Sequence, residues 1–185
     1  MALGPKQMGE AIIRNLKEKT GKSIEQWISL VEQSKLTEKK EVISFLKIDN
    51  GLGHFQAQKI FENFNGKDKY ADPSTFIDKI FNSDKSQELY EFVKIQILKQ
   101  GNDTKIQPCE TYVPFYRKNQ FALLSKGAND SIILGLNLPE NYSSSIFSDN
   151  STKGSVRINS QTEIKNKSDF NEEVLTALNT AYKNN

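Results

Sequence analysis

KIQPCETYVPFYRKNQFALLSKGANDSIILGLNL, residues 105–138, decides the fold. Its apolar residues recur with a period near two, the signature of half-buried strands. The spacing predicts strands over 105–109, 111–116, 120–125 and 131–138. Arg117-Lys118-Asn119 and Gly127 to Asp130 read as the turns between them. Connections this short join antiparallel neighbours, because parallel strands need a crossover of about a dozen residues or more. A polar loop over 139–153 leads to a last expected strand, Gly154 to Asn159.

Upstream the apolar spacing is helical. Ile12, Ile13 and Leu16 share a face of a helix expected from about Pro5 to Lys19, which Gly21 ends. Ser23 with Gln26 is a capping-box pattern for a second helix striped by Ile24, Trp27, Ile28 and Val31. Thr37 is placed to cap a third, containing Val42, Ile43, Leu46 and Ile48. Gly51-Leu52-Gly53 then breaks the pattern before a fourth helix through Phe55, Ala57, Ile60, Phe61 and Phe64. Residues 65–72 read as a linker. Two helices follow, one through Phe76, Ile77, Ile80 and Phe81, the other from Ser83 to Leu98. After the strands, Ser168 or Asp169 is expected to cap a closing helix striped by Phe170, Val174, Leu175, Leu178 and Tyr182. The order predicts an α+β protein: a helical unit over 1–68, then an antiparallel meander packed against helices over 72–185.

Composition excludes several classes. The 185 residues carry a formal net charge of +2, too balanced for an evident polycation. No apolar run approaches the roughly 18 residues of a membrane span, and the first residues lack the apolar core of a secretory signal. A single cysteine, Cys109, forms no intramolecular disulfide, so a cytoplasmic setting without membrane partners is expected. One His and one Cys leave no zinc ligand set, so no metal and no cofactor are assigned. There is no phosphate-loop or nucleophile-elbow motif. Cys109 and His54 lie 55 positions apart in different expected units, and no catalytic residue is assigned.

Two places remain for chemistry. If Val113, Phe115, Leu134, Leu136, Val156 and Ile158 lie under the helices, the other sheet face carries Tyr112, Tyr116, Ile133, Asn137 and Arg157. Gly135 in its middle permits close approach. With Arg117 in the adjoining turn, such a face suits a small anionic molecule, a nucleotide or a peptide: arginine supplies a planar fork and tyrosine a stacking wall. Alternatively the face is covered by the 139–153 loop or the helical unit, and these residues are core. The second place is the helix–Gly51-Leu52-Gly53–helix segment, where Gly51, Gly53 and His54 open a helix and Lys47 and Lys59 flank it. A phosphate of a nucleic acid can sit at such a helix start. The alternative is a tight structural turn with Leu52 plugging the core. The segment looks like the helix-hairpin-helix element of DNA-binding proteins.

The stretches LKEKTGKSIEQW (16–27), EVISFLK (41–47) and GLGHFQAQ (51–58) resemble a short bacterial family known as a domain of unknown function. ETYVPFYRKNQF (110–121), ILGLNL (133–138), SVRI (155–158) and ALNTAY (177–182) resemble a second such family, which often follows the first. The second is in turn distantly similar to small α+β domains loosely labelled iron-uptake or frataxin-like. The resemblance implies the two-part organisation and the α+β fold, and no activity.

Overall fold

The computed structural model describes residues 5–66, 72–149 and 157–185. They fall into two compact units, Leu3–Asp72 and Pro73–Asn185.

The first unit is helical. Helix α1 (Pro5–Thr20) and helix α2 (Ile24–Ser34) meet at the Thr-Gly-Lys corner. Gly21 takes a left-handed φ of +73° and its N–H bonds the Lys17 carbonyl at 2.8 Å. Thr20 donates its hydroxyl to the Leu16 carbonyl at 2.7 Å and accepts the Trp27 indole N–H at 3.0 Å. The Lys22 ammonium lies 5.0 Å from the Trp27 ring centre. The Thr-Gly-Lys…Trp pattern is therefore a helix corner in which every polar group has a use. Ser23 and Gln26 form the expected reciprocal cap.

Helix α3 (Lys39–Ser44) starts after Glu38, one residue later than a Thr37 cap requires, and has no side-chain cap. It runs on as a π-helical turn, Phe45–Asp49. The wider turn shifts the spacing of the residues that follow it. Leu46 stays fully buried while Ile48, expected in the apolar stripe, is 77% exposed. Gly51 has φ +69°, Leu52 is buried, and the Leu52 N–H returns to the Leu46 carbonyl at 3.0 Å. Helix α4 (His54–Phe64) follows. Leu16, Trp27, Val31, Val42, Leu46, Leu52, Ala57, Ile60 and Phe61 form one core.

The second unit opens with helices α5 (Ser74–Ile80) and α6 (Asp84–Leu98), the latter capped by Ser83. Six strands follow: β1 (Lys105–Ile106), β2 (Tyr112–Tyr116), β3 (Gln120–Lys126), β4 (Ile132–Leu136), β5 (Ser148–Asp149) and β6 (Ser160–Ile164). They form one antiparallel sheet in the order β1-β2-β3-β4-β6-β5. Helix α7 (Glu172–Asn184) closes the chain against β3 and β4, while α6 packs on β4 and α5 on β2. Val113, Phe115, Ala122, Leu124, Leu134 and Leu136 are fully buried on the face these helices cover. A register shift between Phe115 and Tyr116 leaves Phe121 unpaired in β3. Such a bulge re-aims a side chain. Phe121 meets the Tyr182 ring of α7 edge-on, with centres 5.4 Å apart.

Three expectations are corrected. The last strand is Ser160–Ile164 rather than Gly154 to Asn159: Arg157 to Asn159 lie outside any strand, and 154–156 lie outside the described residues. The register explains this, since Ile164 pairs with Ile132 and Thr162 with Leu134, leaving β6 only one inward apolar residue to announce it. The first strand is shorter, Lys105–Ile106. Ser168 and Asp169 belong to a 3-10 turn, and α7 is capped by Asn171, whose Oδ1 accepts the Glu173 and Val174 N–H groups at 3.0 and 3.1 Å.

Ile158 also changes sides. Gly135 pairs with Leu123, opposite in facing to Leu134. A Cβ on Gly135 would stand 2.7 Å from Ile158 Cγ2 and 3.0 Å from Leu123 Cγ. Ile158 therefore lies over Gly135 on the face away from the helices, and Val156 is outside the described residues. The close approach that Gly135 permits is made by the chain itself.

Two stability predictions follow from this packing. Gly135→Ala forces Ile158 or Leu123 to move and is expected to cost about 1–3 kcal/mol, read by urea unfolding. Unchanged stability would show that Ile158 does not rest there. Tyr90 is 1% exposed and stacks on Phe81 with ring centres 4.5 Å apart, but its hydroxyl has no hydrogen-bond partner among the described residues. Burial pushes that hydroxyl's pKa well up. Tyr90→Phe removes an unsatisfied buried group and is expected to stabilise by about 1 kcal/mol; a loss of stability would reveal a partner.

Candidate anion-binding site

The residues singled out in the second unit do not share one neighbourhood. Tyr112 and Tyr116 stand at opposite ends of β2, roughly 13 Å apart along a strand. Both are half-buried. Burial raises the Tyr116 pKa; the Cys109 thiol adds to this and the Arg157 guanidinium opposes it. Arg157 thus lies within electrostatic reach of Tyr116, and its Nη1 donates to Asn119 Oδ1 at 2.5 Å. Asn137 points to the end of α7, donating to Asn185 Oδ1 at 2.7 Å. Because Ile158 covers Gly135, these groups do not surround a common open platform.

Arg117 carries the most organised geometry. Its Nε donates to Asp103 Oδ2 at 2.8 Å, and its guanidinium carbon lies 4.7 Å from the centre of the Tyr182 ring. The Tyr182 hydroxyl donates to the other Asp103 oxygen. The Tyr182 hydrogen bond, with Arg117 second, holds the Asp103 pKa below its ordinary value, and the same bond raises that of Tyr182. This clasp therefore contributes at neutral pH and is lost as pH falls through the lowered Asp103 pKa or rises through the raised Tyr182 pKa. Gly101 makes room for it: a Cβ there would overlap the Tyr182 hydroxyl.

Around the clasp opens a groove of about 710 Å³, lined by Asp103, Lys105, Arg117, Lys118, Lys183, Asn184 and Asn185. Among its side chains are four cations and one carboxylate, and that carboxylate is engaged twice. The Asn185 backbone oxygen accepts the Lys118 and Asn119 N–H groups, both at 3.2 Å, which ties the end of α7 to the β2–β3 turn. The Lys118 and Lys183 ammonium groups have no hydrogen-bond or ion-pair partner among the described residues. Of these residues the sequence singles out Arg117 alone. Lys118 is legible as a turn lysine beside it. Lys105, Lys183 and Asp103 join only because the meander and α7 bring three chain segments to one sheet end.

The hairpin of the first unit is differently built. The Gly53 N–H is taken by Gln56 Oε1 at 3.0 Å. Lys59 is buried, pairs with Glu62 at 3.5 Å and would lie 3.1 Å from a Cβ on Gly9. Lys47 and His54 are exposed. Gly51 supplies the left-handed turn and Leu52 the core plug.

Cys109 is buried, and burial raises its thiol pKa, the opposite of an activated nucleophile. Among the described residues no three His, Cys, Asp or Glu side chains gather to hold a metal ion, and no helix is long and apolar enough to cross a membrane.

Comparison with known proteins gives two family matches. The model of a domain of unknown function, DUF4287, matches residues 9–66. That of a second domain of unknown function, DUF5655, matches residues 77–185. No curated protein and no solved structure matches the chain, so the distant iron-uptake or frataxin-like similarity gains no support. The DUF5655 match spans the sheet, the clasp and the groove, and extends over more than half of the sequence: the chain belongs to the DUF5655 family.

Proposed function

We propose that this protein is a binding module whose second unit takes a small anionic ligand in the groove at the end of the sheet. The observation that carries the reading is the groove's side-chain charge: Lys105, Arg117, Lys118 and Lys183 with the Asp103 carboxylate, which is already held by Arg117 and Tyr182. The site moves from the sheet face to the sheet end. Arg117 takes the role of anion anchor, for which Arg157 was the candidate on the sheet face. Arg157 and Asn137 support the site's edges, one through Asn119 in the β2–β3 turn and the other through Asn185. Preorganisation favours binding, because Asp103 and Tyr182 hold the guanidinium in place before a ligand arrives.

The test is titration calorimetry of the full chain with inorganic pyrophosphate at low salt. Binding is expected, weakening as salt rises because the contacts are exposed. Replacing both unpaired lysines, Lys118→Gln with Lys183→Gln, is expected to weaken it about tenfold, two exposed ion pairs' worth, with an unchanged unfolding midpoint. A double variant that binds like the parent sinks the assignment. Arg117→Lys is expected to bind less well than the parent although the charge is kept, because an ammonium does not reproduce the planar contact with Asp103 and Tyr182.

A further inference from the structure

Resting on that reading, we infer that the groove selects its ligand by the number of its phosphates and not by any ring it carries. The ligand class is a polyphosphorylated small molecule.

Three observations converge. First, no aromatic side chain lines the groove. Tyr182, beside the groove residue Arg117, is 9% exposed, with one ring face against that guanidinium and Phe121 meeting it edge-on. A nucleobase gains its sequence-tolerant affinity from stacking, and this site lacks the platform. Second, the cations are spread over separate elements. Lys105 comes from β1, Arg117 and Lys118 from the β2–β3 turn, and Lys183 from the last turn of α7. A chain or ring of phosphates presents several charge groups to such a spread, where orthophosphate presents one. Third, a volume of about 710 Å³ is far larger than one oxyanion needs. It lies within the roughly 300–1,000 Å³ of small-molecule sites. Pairing of Lys118 and Lys183 with separate phosphates then makes affinity climb with phosphate number.

The experiment compares orthophosphate, pyrophosphate, tripolyphosphate, ATP, adenosine and citrate by calorimetry on the full chain at one salt concentration. Affinity is expected to rise about threefold with each added phosphate, the scale of one exposed ion pair. ATP should match tripolyphosphate within a factor of about three, adenosine should not bind, and citrate should fall below tripolyphosphate. The Lys118→Gln, Lys183→Gln variant should weaken pyrophosphate and tripolyphosphate and flatten the phosphate ladder. ATP binding more than about tenfold tighter than tripolyphosphate, or binding of adenosine, would overturn the inference while leaving anion binding standing. Citrate equal to tripolyphosphate would overturn the preference for phosphate in the same way. If none of the anions binds, the anion-binding reading itself fails.

Discussion

The clasp of Asp103, Arg117 and Tyr182 is the contact on which the second unit's architecture and its groove both depend. It joins three segments distant in sequence: the residues leading into β1, the β2–β3 turn and the last turns of α7. Each partner satisfies a requirement of the others. The carboxylate gives the guanidinium a fixed Nε partner, the ring covers the guanidinium's face, and the hydroxyl fills the second carboxylate oxygen. Exposed ion pairs are worth little singly. A planar fork held from two sides gives geometric definition beyond its charge. The Asn185 contacts to Lys118, Asn119 and Asn137 extend the same joint toward β4.

The sheet's two faces are managed differently. Under the helices, large aliphatic and aromatic residues at full burial leave no room for water. On the other face Gly135 lets Ile158 settle onto the strand. The residues after the undescribed segment thus cover the centre of the sheet before the chain turns into β6. A face that holds Leu123 and Gly135 in its middle gains more from an aliphatic cover than from exposure, since burial of one such side chain is worth about 1.5–3 kcal/mol. That moves the chemistry from the face to the rim, where charged side chains remain in water.

Most of the fold was legible because it follows from period and punctuation. Ser23 with Gln26, Gly21 and Gly51 are local devices, and each acts on its neighbours as its residue type dictates. The meander was legible because β2, β3 and β4 each bury an alternating apolar set. β6 was not, since of its inward positions Ser160, Thr162 and Ile164 only the last is apolar, and the strand's place is set by register with β4 rather than by an apolar pattern of its own. Ile48 misled for a similar reason: a π-helical turn has no residue signature in the spacing rule that placed it. Of the candidate site, Arg117 was legible. Lys105, Lys183 and Tyr182 were not, because no local pattern records which helix end meets which turn.

The arginines show how charge and geometry are divided. The chain has 22 lysines and three arginines, and two of the three lie in the second unit. Their scarcity suggests that each is a ligand contact, but the structure gives both a holding task first. Arg117 uses its Nε and its flat face on Asp103 and Tyr182, and Arg157 uses an Nη on Asn119. An ammonium can supply neither a second fixed donor direction nor a stacking plane. Around them the lysines supply mobile charge, and mobile charge suits a ligand recognised by its own charge rather than by its shape. The planar groups build the frame of the groove, Arg117 adding its own charge to it, and the flexible ones adapt to what enters.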